Sequence, residues 1–405
     1  MTDGTTDDIA TGCLIAGGGP AGLMAGFLLA RKGIDVVVLE KHADFLRDFR
    51  GDTIHPSTLE VMNRLGLLDA FLTRPHQKAH DLRAWFGDEE VTIADFSHLP
   101  VACPYIAMMP QWDFLDFLAG EAARLPRFRL MMGTKAEDIR VERGRVVGVL
   151  ATVDGRPLRL RADLTIAADG RRSALRAAAN LAPRDLGAPI DVLWMLLPRR
   201  AGDPREVFGR IAGGHMMVLI DRGDYWQCAY LIAKGGYEAV RAGGLDAFRR
   251  SIATTAPFLA DRVGSLPSWD DVSLLTVTVD RLDTWHRPGF LAIGDAAHAM
   301  SPIGGVGVNL AVQDAVAAAN LLAGPLASGF VGNGDLRAFQ RRRMMPTRVT
   351  QAIQVFLQNR LFASVLGERT VTKAPAPLRL FSRFPRLRRI PARVIGMGVR
   401  PELPR

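Results

Sequence analysis

Apolar and polar positions along this chain repeat with two periods, one of buried strands and one of helices. Cys13 to Ala16 closes an apolar run that predicts a buried parallel strand. Leu23 to Arg31 has helical spacing, Gly33 stops that helix, and Ile34 to Leu39 predicts a second, β-branched strand ending at Glu40. Two later apolar strands also end in a carboxylate. Leu164 to Ala168 runs into Asp169-Gly170 and then Arg171-Arg172-Ser173 with a helix after it. Phe290 to Ile293 runs into Gly294-Asp295-Ala296-Ala297-His298, then Pro302, Gly304, Gly305, Gly307 and Asn309, then a helical stretch from Leu310 to Leu322. Between these blocks lie short β-rich runs, Met216 to Ile220 and Tyr225 to Ile232, parted by the turn Asp221-Arg222-Gly223-Asp224. Residues 336 to about 365 predict helix, and a proline-punctuated tail follows.

The glycines say what the first unit is for. Gly17-Gly18-Gly19-Pro20-Ala21-Gly22 joins the first strand to its helix, completing a β–α–β unit with an acid at the expected distance. Gly17 permits the tight turn, Gly19 lets the backbone approach a pyrophosphate, and Gly22 lets helix and strand pack closely. The helix start offers free N–H groups and a positive dipole end to phosphates. Glu40 accepts both hydroxyls of an adenosine ribose and repels a 2′-phosphate, so the site is expected to hold FAD or NAD, not NADP. Three strands ending in carboxylates point to one large ligand laid across several strand ends. Asp295 is placed for a ribityl or ribose hydroxyl, and the helix starting near Val308 and Asn309 aims its positive end at a flat ring.

Composition adds limits. With 405 residues, 48% hydrophobic and 23% charged, the chain has an ordinary globular balance. Cys13, Cys103 and Cys228 have no metal-ligand spacing and read as reduced thiols, so no metal site and a cytoplasmic location are expected. Met1 to Asp8 does not read as a secretory signal, and no membrane span is expected. The net charge of +9 is lopsided: from Arg337 onward the balance is +14, and the rest of the chain carries −5. That is a basic appendage, not a nucleic-acid binder.

These motifs together resemble the FAD-dependent aromatic hydroxylases related to para-hydroxybenzoate hydroxylase. The matching pieces are Gly17 to Gly22 with Glu40, Asp169-Gly170, and Gly294-Asp295 through Asn309, over roughly residues 9 to 325. The resemblance implies an α/β fold: a Rossmann-like FAD-binding domain with an inserted antiparallel β-sheet substrate domain and C-terminal helices. The FAD-binding pieces are expected at residues 1–79, 111–185 and 281–335, the sheet at 80–110 and 186–280, and a helical basic tail at 336–405. It implies FAD contacts from Gly17, Gly19, Pro20, Ala21, Gly22, Glu40, Lys41, Arg50, Gln111, Asp169, Asp295, Pro302, Gly305, Gly307, Val308 and Asn309. Arg50 fits the family's early arginine and Gln111 its flavin-contacting glutamine. Arg50 and Pro302 are the candidates for a catalytic part.

It further implies a small aromatic substrate, O2, and NADH or NADPH bound transiently in a shared cleft. One oxygen atom of O2 would enter the substrate through a flavin C4a-hydroperoxide. His215, Tyr225, Trp226 and Tyr230 are candidates to line the substrate pocket, with plain sheet packing as the other reading. His298 reads as part of the cofactor loop, and His55 as a surface or satisfied histidine. The basic tail reads as an amphipathic end docked on the acidic body, or as a contact for an anionic membrane or acidic partner. A reductase, dehydrogenase or halogenase is the competing enzyme class, although no Trp-x-Trp-x-Ile-Pro segment is present. A non-enzymatic flavin-binding module is the third reading, opposed by the intact glycines and acids. Oligomeric state stays open.

Overall fold

The computed structural model describes residues 8–46, 53–204, 208–365 and 373–405. Its main sheet has the order His286–Arg287, Phe290–Ala292, Arg156–Ala167, Asp8–Ala16, Val36–Leu39, Phe128–Met131. Except for the first, His286–Arg287 with Phe290–Ala292, all pairings in this order are parallel. Such strands are covered on both faces and therefore read as continuous apolar runs; Cys13, Leu14 and Ile15 are fully buried. An antiparallel ribbon of Thr134–Glu142 and Arg145–Val153 extends from the strand Arg156–Ala167.

The helix Pro20–Arg31 is apolar nearly all round because it is sandwiched, with Ala21 through Ala30 buried. It packs against the helices Gln111–Ala123 and Gly307–Ala327. The latter lies in a segment, Ile303–Ala327, that has the length and apolarity of a membrane span, which corrects the sequence expectation that no such stretch exists. Its apolarity has another cause: 72% of that apolar window is buried inside the protein.

A second sheet has seven strands, in the order Ser273–Leu275, Ile190–Pro198, Tyr225–Ala233, His215–Asp221, Phe208–Ala212, Asp81–Phe86, Glu89–Asp95. It is antiparallel except at one pairing, Phe208–Ala212 with Asp81–Phe86, which runs parallel. That exception follows from the chain path, since the two strands come from distant segments with no hairpin between them. Ile106–Met108 does not join this sheet; it pairs with Thr53–Ile54 and Gln77–Ala79.

Each face of the second sheet has its own cover. Leu193, Met195, Met217, Leu219, Trp226, Cys228 and Tyr230 pack with Phe248 and Ile252 of the helix Leu245–Thr255. Val192, Ala229 and Leu231 on the other face pack with Ile303 and Val355. The sheet therefore roofs the glycine-rich turn that precedes Gly307–Ala327. The long helix Asn333–Val365 then runs past this turn, and the helices Ala376–Arg383 and Arg389–Gly396 close the chain against the strand Glu89–Asp95.

Candidate functional site

The first strand ends at Ala16, and the chain turns at Gly17 with φ of +105°. A Cβ on Gly17 would lie 2.3 Å from the Ala168 carbonyl oxygen, so this glycine also lets the next strand's end come close. A Cβ on Gly22 would lie 1.9 Å from the Gly17 carbonyl oxygen. Gly19 is different: nothing lies within 4 Å of where its Cβ would be. It caps a helix that begins with Pro20 and has no side-chain cap, so the first-turn N–H groups face open space. This combination of a close-packed turn and an open, uncapped helix start fits a pyrophosphate.

Glu40 is 7% exposed and folds back onto this loop. Its Oε2 accepts from Gly18 N at 2.9 Å and its Oε1 from His42 N at 3.0 Å. The carboxylate is thereby fixed at the rim of the cradle. Lys41 beside it is exposed.

The second carboxylate behaves otherwise. Asp169 accepts from Ser173 Oγ at 2.5 Å and from Leu175 N at 3.3 Å. Burial raises its pKa, against the lowering effect of those hydrogen bonds. Both oxygens accept from its own loop, so Asp169 orders that loop. What the loop presents is Arg171, whose Nε lies 3.0 Å from Asp295 Oδ2. Both side chains are about one-third exposed, at 28% and 32%. Asp295 sits in a 3₁₀ turn wedged between helices: a Cβ on Gly294 would meet Ala21 Cβ at 3.0 Å and Ala311 Cβ at 3.5 Å.

The Pro302 turn follows. Gly304 and Gly305 have φ of +78° and +62°. A Cβ on Gly305 would meet Thr53 Oγ1 at 2.3 Å, and Thr53 donates to the Gly305 carbonyl at 3.0 Å. The helix then starts at Gly307 with no side-chain cap. Val308 is 8% exposed and Asn309 5%. Asn309 Oδ1 accepts from His55 N at 3.0 Å and Thr58 Oγ1 at 2.7 Å, which ties this helix start to the segment Thr53–Thr58. His55 is fully buried and its Nδ1 lies 2.8 Å from the Ile395 carbonyl. Burial pulls its pKa down to about 4, only partly offset by that carbonyl.

Two supports were not foreseen. Gln351, Gln354 and Gln358 share one face of the long helix Asn333–Val365. Gln351 donates to Asp280 O at 2.7 Å and Ala299 O at 3.1 Å. Gln354 donates to Ser301 O at 3.0 Å and Ile303 O at 2.9 Å, and Gln358 to Ser301 Oγ. The only signal in the sequence was their i, i+3, i+7 spacing. The other support is a buried cluster in which Asp314 bonds His298, Arg343 and the Gly294 N–H. His298 is thus a structural tie to Asp314 and makes no pair with Asp295.

Gln111 opens the helix Gln111–Ala123, half-buried and with no side-chain hydrogen bond among the described residues. Arg50 lies outside the described residues. Three pocket candidates are corrected. Trp226 is fully buried, its Nε1 donates to Asp203 at 2.9 Å, and its ring packs edge-on to Phe208 and Phe258. Tyr230 is 3% exposed against Phe248, and His215 lies against Tyr230 at 5.5 Å. All three lie on the face covered by Leu245–Thr255. The opposite face presents Val192, Met216, Val218, Ala229 and Leu231, with Trp194 among them; strand alternation puts Tyr225 at its far end.

A cradle, a clamped acid at its rim and an uncapped helix under a roof sheet define the class: a flavoprotein fold whose residues fit FAD. Comparison with known proteins agrees. The family model described as FAD binding domain matches residues 10–352. Over 391 residues the chain is 32% identical to 6-methylpretetramide 4-monooxygenase of Streptomyces rimosus, covering 96% of this chain and 93% of that protein. It is 26% identical to rifampicin monooxygenase of Rhodococcus hoagii, covering 91% and 75%. The flavin-dependent brominase Bmp2 superposes with a TM-score of 0.77 at 17% identity, covering 96% and 93%, which is a likeness of fold alone. The chain belongs to the FAD-dependent aromatic hydroxylase family. It is an FAD-dependent, NAD(P)H-consuming monooxygenase.

Proposed function

We propose that this enzyme hydroxylates a phenol-like aromatic small molecule held between the Pro302–Gly307 turn and the inner face of the roof sheet. The observation that carries this reading is the apolar inner face itself, Val192, Met216, Val218, Ala229 and Leu231, packed toward Ile303. The end-to-end similarity to 6-methylpretetramide 4-monooxygenase supports it and names the first compound to test.

Bound FAD supplies the redox chemistry, accepting a hydride from NAD(P)H and activating O2, so the protein's tasks are positional. In this reading the loop Gly17–Gly22 and the N–H groups after Pro20 hold the pyrophosphate, and Glu40 binds the adenosine ribose. Asp295, steered by Arg171, takes a hydroxyl of the chain linking pyrophosphate to ring. Gln111 would offer its amide to the ring, and Pro302, Gly305, Gly307, Val308 and Asn309 would hold it. The uncapped N–H groups of that helix would stabilise negative charge on it. Asn309, held by His55 and Thr58, fixes where those N–H groups point. The apolar roof excludes water from the reacting face.

The test is turnover of a panel of phenols and 6-methylpretetramide with NADH or NADPH under isotopically labelled O2. The product should carry one labelled atom, and substrate should accelerate NAD(P)H oxidation. A product whose new oxygen comes only from water, or one formed equally well without O2, sinks the reading in favour of a reductase or dehydrogenase.

A further inference from the structure

The C-terminal helices present two unlike faces. Their inner face is docked: Leu378 packs against the cluster of Ala84, Phe86 and Val91, and Ala392 and Ile395 against Phe96, Leu99 and Ile106. The tail holds to the body by these apolar contacts and by a few polar ties, Glu402 with Arg342 and Glu89 with the Ala374 N–H among them. That leaves its charge unspent. No Asp or Glu occurs between Lys373 and Pro401. Arg379, Arg383, Arg386, Arg389, Arg393 and Arg400 are exposed, and none ion-pairs with a carboxylate among the described residues.

Three large apolar side chains stand among these arginines in water: Leu380 at 45% exposure, Phe384 at 50% and Ile390 at 63%. Leu380 lies on the first helix and Phe384 just past its end, and Arg379 and Arg383 stand four residues apart on that helix. Arg383 lies over the Phe384 ring at 6.0 Å. On the second, Arg389 and Arg393 flank Ile390 in the same way. Beside them Arg393 and Arg400 line a cleft of about 490 Å³ with Val101, Met397 and Val399.

We infer that this outer face docks on the surface of an anionic lipid bilayer, with Leu380, Phe384 and Ile390 entering the headgroup–acyl boundary and the arginines at phosphate level. Interleaved arginines and bulky apolar groups match that boundary, where apolar burial and attraction to anionic lipid add together. The long arginine stems lie along the acyl region while their heads stay with phosphate. A second copy of the chain is a poor occupant, since two such faces repel. The −5 carried by residues before Arg337 also turns the rest of the molecule away from an anionic surface. This inference does not rest on the substrate assigned above, and its test reads no turnover.

The full-length holoprotein is centrifuged with vesicles of phosphatidylcholine alone or mixed with phosphatidylglycerol. It should sediment with the mixed vesicles, not with the neutral ones, and high salt should release it. Two combined variants follow: Leu380→Asp with Phe384→Asp and Ile390→Asp, and Arg379→Glu with Arg383→Glu and Arg389→Glu. Each should lower partitioning by at least about tenfold, with melting temperature and flavin content unchanged. If the apolar variant melts early, Ile390→Asp alone, at the most exposed position, must still weaken binding. Failure of the parent to bind mixed vesicles overturns the inference. So does undiminished binding by the apolar variant, which would mark plain charge adhesion, or a concentration-dependent dimer that the apolar variant dissociates.

Discussion

His298 Nε2 lies 2.6 Å from Asp314 Oδ2, both side chains almost wholly buried, and the same oxygen accepts from Gly294 N at 3.0 Å. Asp314 Oδ1 accepts from Arg343 Nε at 2.7 Å. One carboxylate thus joins the turn carrying Asp295, the helix Gly307–Ala327 and the long C-terminal helix. Burial alone would push its pKa up, but His298 and Arg343 hold it down to about 2.

Asp314→Asn takes from buried Arg343 its hydrogen-bonded anion and leaves only Glu402 at 4.0 Å, a loss of about 3–5 kcal/mol for a broken buried pair. Thermal melts of the apoprotein should fall well below the parent's, and flavin content should fall with them. An unchanged melt would show that the cluster contributes no stability.

Gly19→Ala and Gly22→Ala separate binding from folding. The Gly19 position has no neighbour within 4 Å, so its alanine variant should melt like the parent yet lose FAD on gel filtration. Gly22→Ala drives a methyl to 1.9 Å from a backbone oxygen and should lose both FAD and stability, by more than the usual ~1–3 kcal/mol of overpacking. If Gly19→Ala keeps full flavin, the pyrophosphate lies elsewhere.

Asp295→Ala removes a partly exposed carboxylate whose partner among the described residues is Arg171. The apoprotein should stay folded while FAD affinity drops by about 1.5–3 kcal/mol, read by flavin fluorescence titration. Equal affinity in parent and variant would show that Asp295 faces away from the cofactor.

Gln354→Leu keeps the helix but releases the carbonyls of Ser301 and Ile303. The Ser301 N–H loses its acceptor as well, and each of these three hydrogen bonds costs about 1–3 kcal/mol when a buried partner is left unpaired. The glycine turn should loosen, and a larger share of NAD(P)H oxidation should end as hydrogen peroxide rather than product. Peroxide and product assays on one sample decide this, and an unchanged ratio rejects a positioning role.

His55 should make stability pH-dependent. Its pKa is about 4 in the folded chain, below the ordinary value of about 6.5. The unfolded chain therefore binds the proton first, and stability should fall as pH drops through that window. Between pH 7 and 5 the loss from this group is about 2 kcal/mol. Urea midpoints at the two pH values should show it in the parent and show it reduced in His55→Gln. An equal pH response in both would assign the effect to other groups.

Local chemistry alone determined the dinucleotide cradle. The turn at Gly17, the helix after Pro20 and the rim acid Glu40 fall within one β–α–β unit, where backbone geometry leaves few alternatives. The apolar parallel strands were legible too, and so was the helix expected near Val308 and Asn309, which starts at Gly307. The faces of the roof sheet were not. Alternation along Tyr225–Ala233 separates Trp226 and Tyr230 from Ala229 and Leu231, but both sets are apolar because both faces are covered. Only the packing of Leu245–Thr255 on one side and Ile303 on the other decided which set faces the site. The same holds for Asp169, Asp314 and the glutamines of the long helix. A carboxylate or amide shows its type in the sequence, but the partners of Asp314 lie 16 to 29 residues away and those of Gln351, Gln354 and Gln358 lie 51 to 71 away, while Asp169 turns onto Ser173 and Leu175 of its own loop. The direction each side chain takes is set by whichever partner the fold delivers to it.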